Sequence, residues 1–345
     1  MTAGARQSAD LEAEWARALK ILVGAPEICL ACHVRPDGDA LGSMLAVATA
    51  LCGATAASDG PPRRIIASFG DQPFDVPQIL RFLPGVELLT RPAGYPRRPA
   101  VMMTFDAASA DRLGLLTDCA AGAGELIVLD HHASNTGFGS VRLVDPAAAA
   151  TAVLARELIG RLGIGLTRDI ALDLYAGLVT DTGSFKFSTT PRTHALAAEL
   201  LSTGIDPAAV GRELFDRAPF GYLGLLSSVL GRAELEPAAA GGLGLVWTAV
   251  TRADRAPAAL ALDTVEPVID VLRRTNEAEV AVVLKESDDG AWLVSARSKG
   301  LIDVGQACTT LGGGGHAQAA GFTARGTAAE AIAALRERLG GSAAE

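Results

Sequence analysis

A histidine and two aspartates lie within seven residues near the start of the chain. The segment reads His33-Val-Arg-Pro-Asp37-Gly-Asp39 and directly follows a short apolar run. Asp37 and Asp39 are two residues apart, so in an extended or turning backbone their carboxylates lie on the same side. Two like charges held together are costly unless a cation compensates them, which indicates a metal ion. The same residues also allow a plain aspartate-rich turn that caps a helix beginning near Leu41.

More acidic and imidazole side chains end other apolar runs. Asp106 ends one run, Asp130, His131 and His132 end another, and Asp181 ends a predicted helix. Mixed imidazole and carboxylate ligands suit divalent cations of intermediate hardness, Mn²⁺ above all, with Mg²⁺, Co²⁺ or Zn²⁺ as alternatives. The residue types therefore predict a metal centre.

Charge counting indicates two ions in this centre. Four aspartate charges would be balanced by two divalent ions, whereas one ion would leave the pocket repelling phosphate. Two ions about 3.5–4 Å apart can hold a hydroxide between them and stabilise the attacking and leaving oxygens of an in-line displacement. The four aspartates are Asp37, Asp39, Asp106 and Asp181.

A glycine run near the C-terminus is a second candidate site. The run reads Gly312-Gly-Gly-Gly-His316, and Gly312-x-Gly314-x-x-Ala317 fits a loose dinucleotide fingerprint, but a predicted helix rather than a strand precedes it. As plain structure the run would be a flexible turn. We interpret it as a nest of backbone N–H groups for a phosphate, because Arg297 supplies a fork-shaped donor nearby in sequence.

The elements that must position these residues alternate between strand and helix. We predict strands over residues 27–34, 64–68, 100–105 and 125–129, with helical patterns between them and helices over 147–161 and 167–179. This alternation predicts an α/β fold with a doubly wound, mainly parallel N-terminal sheet. Because ligands bind at the carboxyl ends of parallel strands, His33, Asp106 and the Asp130 segment are expected to meet at one edge.

The rest of the chain predicts a connector and a smaller α/β domain with a mixed sheet. Residues 191–235 show a helical pattern, which gives domains over 1–190 and 236–345 with a helical connector between them. In the second domain we predict strands over 243–250, 280–285 and 292–296. Helices are predicted over 264–276, 304–311 and 328–339. The connector is a candidate surface for a homodimer.

Composition excludes several classes of protein. The net charge of −9 disfavours a general nucleic-acid groove, and 10 Phe, 3 Trp and 3 Tyr are too few for extended base stacking. Charged residues within the first twenty positions leave no room for an apolar signal segment, so we expect a cytoplasmic protein. Residues 40–58 are uncharged but rich in Ala, Gly, Ser and Thr, which favours a buried helix over a membrane span.

The five cysteines are expected to be reduced thiols in the protein core. Cys29-Leu-Ala-Cys32-His33 has the spelling of a covalent haem site. On a strand, however, positions three apart point to opposite faces, so neither haem attachment nor a redox pair is favoured.

Together, these motifs resemble the DHH phosphoesterase superfamily with its DHH-associated C-terminal domain, and most closely the NrnA-type oligoribonucleases, or nanoRNases. The resemblance covers nearly the whole chain, from the His33 segment to the glycine run. It implies a di-manganese enzyme that degrades short RNA of two to five nucleotides to nucleoside 5′-monophosphates. It also implies removal of a phosphate from 3′-phosphoadenosine 5′-phosphate (pAp), with linear dinucleotides among the substrates and no membrane association.

The resemblance also implies a role for each site residue. His33, Asp37 and Asp106 would hold one metal, and Asp39, Asp106, His131 and Asp181 would hold the other. His132 would contact the scissile phosphate or assist the leaving oxygen, and Asp130 would orient the histidines. From the C-terminal domain, the substrate would be bound by Ser295, Arg297, Gly314, Gly315 and His316.

Two other functions remain open on the sequence. One is a phosphodiesterase for cyclic di-AMP or its linear product pApA. The other is a metal-dependent nucleotide sensor without turnover, which complete ligand motifs disfavour. The preferred oligomer length, the metal used in the cell and the oligomeric state are not encoded in any pattern that we recognise.

Overall fold

Strands and helices alternate in the N-terminal part of the chain, as the sequence predicts. The structure is a computed structural model that describes residues 3–57 and 62–340. It divides into two units, Met1–Arg217 and Ala218–Glu345. The first unit contains α1 (Ala3–Gly24), β1 (Glu27–Cys32), α2 (Gly38–Ala56), β2 (Arg64–Phe69), β3 (Val101–Phe105), α3 (Thr117–Ala121), β4 (Glu125–Asp130), β5 (Val141–Val144), α4 (Thr151–Arg161), α5 (Arg168–Asp181), α6 (Pro191–Leu201) and α7 (Pro207–Phe215).

The first sheet is parallel throughout and has the order β2-β1-β3-β4-β5. From β1 the chain crosses to β2 on one side, and from β3 it continues to β5 on the other. Ligands bind in sheets of this kind at the point where the direction reverses, between β1 and β3. His33 directly follows β1 and Asp106 directly follows β3. The predicted doubly wound sheet is thus confirmed, with β5 as a strand that the sequence analysis did not identify.

Helix α2 crosses α5 at close range and forms part of the core of the first unit. It is the helix, among the described residues, that is long and apolar enough to span a membrane by length and composition. Most of its residues are buried in this unit, which accounts for its apolar sequence. A Cβ atom added to Gly42 would lie 2.4 Å from the carbonyl oxygen of Asp173 in α5. Only glycine therefore allows this approach of the two backbones.

Gly42→Ala is expected to destabilise the protein by about 1–3 kcal/mol, because overpacking at a rigid backbone contact forces the helices apart. Gly53→Ala in the same helix is the matched control, since a Cβ there meets nothing within 4 Å. The control is expected to stabilise the helix by about 0.5–1 kcal/mol. Urea unfolding of both variants measures the difference. Equal stability of the two would contradict the close contact.

The second unit contains α8 (Gly221–Gly231), β6 (Glu234–Glu236), β7 (Leu245–Val250), α9 (Arg252–Arg255), α10 (Val268–Leu272), β8 (Val280–Glu286), β9 (Trp292–Ser298), α11 (Val304–Thr309), β10 (Gly314–His316), β11 (Ala319–Ala324) and α12 (Ala328–Leu339). Its sheet has the order β10-β11-β9-β8-β7-β6, in which only β7 and β8 pair in parallel. The predicted mixed sheet is confirmed.

One expectation about the second unit was wrong. The helix predicted over 264–276 is shortened to α10, because Pro267 lacks an amide donor and lies just before the helical turn. Within the glycine run, Gly314–His316 form an edge strand paired with β11, and the predicted phosphate nest remains a proposal. Helices α6, α7 and α8 lie within the predicted connector, and the boundary between the two units also falls there. The domain limits at residues 190 and 235 remain a proposal.

Candidate metal centre

The turn between β1 and α2 presents the first acidic pair. Asp37 is the N-cap of α2, and its Oδ1 atom accepts hydrogen bonds of 3.0 Å from the backbone N–H groups of Asp39 and Ala40. Asp37 also offers a carboxylate oxygen to a group of ligand atoms with His33 and Asp106. The helix-capping turn and the metal site, which the sequence presented as alternatives, thus use the same carboxylate.

Two histidines are held so that their Nε2 atoms point into the cluster. The Nδ1 atom of His33 lies 2.8 Å from the carbonyl oxygen of Val34, and that of His131 lies 3.2 Å from the carbonyl oxygen of Ala148. Because a carbonyl oxygen only accepts, we assign the ring proton to Nδ1 in both cases. The lone pair on Nε2 is then directed at the neighbouring carboxylates, as in histidines that bind metals.

Asp106 lies at the centre of this cluster. Its Oδ2 atom is 3.5 Å from Nε2 of His33, and its Oδ1 atom is 3.5 Å from Nε2 of His131. The residue adopts a left-handed backbone conformation with φ of 56°, and its N–H donates to the carbonyl oxygen of Leu129 in β4. This unusual backbone conformation places the carboxylate between His33, which follows β1, and His131, which follows β4; these two strands flank β3.

Asp39 and Asp181 complete the cluster from two helices. Nε2 of His131 is 3.4 Å from Oδ2 of Asp181 and 3.9 Å from Oδ2 of Asp39. Asp39 is fully buried and accepts hydrogen bonds from the N–H groups of Thr151 and Ala152, at 2.6 and 2.9 Å. It thereby caps the N-terminus of α4, where the N-cap residue Ala150 has no side chain that could do so.

Burial and neighbouring charges shift the pKa values of two carboxylates in the cluster in opposite directions. Burial and the nearby charges of Asp106 and Asp181 raise the pKa of Asp39 well above its usual value. Burial alone would also raise the pKa of Asp106, but the neighbouring histidines hold it below its usual value. A divalent cation beside these carboxylates would relieve the repulsion that Asp39 experiences.

Among the groups of close ligand atoms in the first unit, two that overlap could each hold a metal ion. His33, Asp37 and Asp106 each offer an atom within 4.8 Å of the others, and so do Asp39, Asp106 and His131. Asp106 belongs to both groups. The structure therefore brings together five of the six predicted metal ligands in these two groups, and the sixth, Asp181, contacts His131.

His132 is fixed separately, by Asp130. Nδ1 of His132 lies 2.7 Å from Oδ1 of Asp130, whose Oδ2 atom accepts a 2.6 Å hydrogen bond from the side-chain amide of Asn135. Burial alone would lower the pKa of His132, but the Asp130 hydrogen bond and the Asp106 charge raise it to about 10. Asp130 therefore favours the protonated form of His132.

Sequence reasoning missed three side chains at this site: Asn135, Thr151 and Arg112. Thr151 Oγ1 donates a 2.8 Å hydrogen bond to Oδ1 of Asp106. Arg112 Nη2 lies 3.5 Å from Nδ1 of His33, an approach of two donors rather than a hydrogen bond. Arg112 follows Asp106 by six residues in the same strand-end segment, and this proximity was the available signal.

The predicted substrate-binding residues share one region of the second unit. Ser295 and Arg297 project from the same face of β9, because they are two residues apart on a strand. On β11, Gly321 lies opposite Ser295, and Ala319 lies opposite Arg297. Gly314, Gly315 and His316 form β10, the neighbouring edge strand.

All five cysteines are free thiols. Cys32 packs in the core on one side of the first sheet and Cys29 in the core on the other. Burial raises the pKa of both thiols. The haem-like spelling therefore describes two inert core residues of a strand, as the sequence analysis favoured.

Comparison with protein families identifies both units. Residues 27–178 match the DHH family N-terminal domain, and residues 257–342 match the DHHA1 domain. A bifunctional oligoribonuclease and PAP phosphatase NrnA from Thermus thermophilus is 33% identical over 316 residues, covering 90% of this chain and 87% of the relative. A probable NrnA from Streptococcus mutans is 24% identical, covering 84% and 86%.

One solved structure supports the fold, and one further relative matches only part of the chain. The exopolyphosphatase-related protein from Bacteroides fragilis superimposes with a TM-score of 0.80 at 23% identity, covering 95% of this chain and 96% of that one. A cyclic-di-AMP phosphodiesterase GdpP from Geobacillus thermodenitrificans is 29% identical but covers 63% of this chain and 32% of its own length.

Proposed function

Because this chain belongs to the DHH family of phosphoesterases, we propose that it is a di-metal hydrolase that degrades short oligoribonucleotides to nucleoside 5′-monophosphates and removes the 3′-phosphate of pAp. The relatives named for both activities match it over most of their length. The observation that carries the proposal is the position of Asp106, whose carboxylate belongs to both groups of ligand atoms. A carboxylate shared in this way suits two adjacent cations.

The two groups suggest how the ligands are divided. One ion would be held by His33, Asp37 and Asp106. The other would be held by Asp39, Asp106, His131 and Asp181, so that Asp106 is shared. We propose Mn²⁺ for both positions, since imidazole and carboxylate ligands are mixed, with Mg²⁺ or Co²⁺ as alternatives. When bound, two such ions supply an activated water and neutralise charge on the phosphoryl oxygens.

The protein's own groups then act on the substrate. His132, held by Asp130, would donate a hydrogen bond to the scissile phosphate or a proton to the leaving oxygen. In the second unit, the Arg297 guanidinium supplies the fork-shaped donor for a phosphate of the substrate. Ser295, Gly314, Gly315 and His316 are proposed to line the same substrate-binding region. We also propose a cytoplasmic enzyme, in keeping with its five free thiols, and leave a homodimer through the predicted connector as a proposal.

Hydrolysis of pApA and pAp tests this function. The full chain is freed of metal with a chelator, dialysed, and assayed with Mn²⁺, Mg²⁺, Co²⁺ or no addition. We expect both substrates to be hydrolysed only after metal is restored, fastest with Mn²⁺. Cleavage of cyclic di-AMP in preference to both would favour the cyclic dinucleotide phosphodiesterase instead. Metal-dependent binding without turnover of any of these substrates would favour a sensor.

Asp130→Asn is expected to lower turnover by about 10- to 100-fold with bound metal unchanged, because residues that orient an active-site group cost about that much when replaced. An asparagine amide can donate to Nδ1 of His132 and so favour the wrong tautomer. Glu125→Gln, at the far end of the same strand, is the matched control. Turnover of pApA and metal content measured together would separate orientation from metal binding. Loss of metal in Asp130→Asn would contradict this role.

A further inference from the structure

A carboxylate in the second unit is bound on both of its oxygens beside Arg297. Glu266 lies between a short helical turn and α10, and its Oε1 atom accepts a 2.9 Å hydrogen bond from the hydroxyl of Ser295. Its Oε2 atom forms an ion pair with Lys285 of β8. Lys285 Nζ also donates a 2.8 Å hydrogen bond to Ser295. The side chains of Glu266, Lys285 and Ser295 thus hold one another in place.

This arrangement holds Glu266 in its charged form. The Lys285 side chain is 5% exposed, so its ammonium group would be costly to bury without a partner. Burial by itself would raise the pKa of Glu266, but the charges of Lys285 and Arg297 lower it to about 2. The Glu266 side chain is nevertheless 47% exposed. An ionised, immobile carboxylate is therefore accessible from solvent.

The sheet beside Glu266 carries several small residues. On this side of the sheet, α8 and α10 pack on β7 and β8, where Val246, Val250 and Val283 contribute to the core. Farther along the same face, most of the residues that β9, β11 and β10 contribute are half-buried, whereas Ser295 is buried. We call this region the open face; it comprises Ser295, Arg297, Gly314, His316, Ala319 and Gly321. Such a floor lets a planar or cyclic group lie against the strands.

A fixed negative charge is unexpected in a region that binds phosphate. Glu266 weakens the attraction of Arg297 and Lys285 for any anion, so phosphate affinity alone gives no reason for it. A carboxylate offers about four lone-pair sites, and Ser295 and Lys285 use one on each oxygen. The remaining sites can accept hydrogen bonds from hydroxyl groups. A nucleotide carries such donors on its ribose, a few ångströms from its phosphate.

We propose that Glu266 is a specificity-determining residue that accepts a hydrogen bond from a ribose hydroxyl of the nucleotide whose phosphate is bound by Arg297. Lys285 and Ser295 are positioning residues that hold this carboxylate at the edge of the open face. The inference rests on the proposed function for the assignment of Arg297 to a nucleotide phosphate. It predicts that the second unit distinguishes ribonucleotides from deoxyribonucleotides.

Calorimetric binding of 5′-AMP, 2′-deoxy-5′-AMP and 3′-deoxy-5′-AMP to the full, Mn²⁺-loaded chain tests the proposal. We expect 5′-AMP to bind about tenfold more tightly than at least one deoxy analogue, as for a hydrogen bond to a charged group. In Glu266→Gln this preference should fall to about twofold or less. Glu286→Gln is the matched control. Glu286 follows Lys285 directly in β8, but its carboxylate pairs with Arg252. This variant should keep the full preference.

Two outcomes would overturn the proposal. One is equal binding of all three nucleotides by the unmodified chain, and the other is an unchanged preference in Glu266→Gln. If Glu266→Gln does not fold, the double variant Lys285→Met with Glu266→Leu replaces the pair by apolar side chains and carries the same test. A chain that prefers 5′-AMP in this assay but hydrolyses neither pApA nor pAp would refute the proposed function while leaving the role of Glu266 intact.

Discussion

Asp106→Asn is expected to lower hydrolysis of pApA by more than about 100-fold and to remove at least one divalent ion per chain. The carboxylate contributes an oxygen to both groups of ligand atoms, and its two oxygens face His33 and His131 separately. An asparagine keeps the shape but loses the charge and replaces one oxygen by a donor. The loss should exceed the 10- to 100-fold that is typical for residues that only orient ligands.

Metal analysis of the purified variant, alongside turnover, measures this effect. Asp118→Asn is the control, since Asp118 is an exposed aspartate in α3, outside the cluster. It should keep both metal and activity. Full metal occupancy in Asp106→Asn, or turnover close to that of the unmodified chain, would contradict the bridging position.

Arg297→Ala is expected to lower kcat/KM for pApA by about 10- to 100-fold, mainly through KM, with metal content unchanged. In the proposed role the guanidinium would make charge-assisted, paired hydrogen bonds to a phosphate, which are among the stronger polar contacts in proteins. Arg297 belongs to the second unit, whereas all six proposed metal ligands belong to the first. Binding and metal retention should therefore separate in this variant.

Arg325→Ala is the matched control for Arg297→Ala. Arg325 follows β11, the strand paired with the strand of Arg297, and its side chain is 80% exposed. It should leave KM unchanged. A loss of metal in Arg297→Ala, or an equal rise of KM in both variants, would show that Arg297 does not act by binding a phosphate.

Most of the cluster could be predicted from the sequence because His33, Asp106, His131 and Asp181 each follow the end of a strand or end a helix. Residues at the carboxyl ends of parallel strands meet at one edge of the sheet. The proximity of His33, Asp106 and His131 could therefore be predicted once the strands before them were identified. Thr151 could not be found in this way, because it begins a helix rather than ending one, and its hydroxyl contacts Asp106 at a distance of 45 positions in the chain. Asn135 was hidden for a different reason: a lone asparagine after a histidine pair is equally typical of a turn.

The second unit was predicted less completely because its signals conflict. Four consecutive glycines carry no side chains, so the alternation of apolar and polar residues that is typical of a strand is absent from the sequence of β10, although β10 pairs with β11. Lys285 ends an apolar run that was predicted to be a strand, as it is, but nothing nearby in sequence indicated its partner. Glu266 lies 19 positions earlier, beside Pro267, and only folding brings the two together.

The contact between Asp39 and α4 links two properties that are usually independent. α4 lacks a capping side chain of its own and takes its cap from a residue 112 positions earlier that also belongs to the ion cluster. Any substitution at Asp39 should therefore loosen a helix as well as disturb the ions, and its effect on catalysis will be mixed with partial unfolding. The thermal stability of this protein therefore depends in part on Asp39, which the proposed chemistry also requires. Substitutions meant to raise the melting temperature would have to be made elsewhere in the chain.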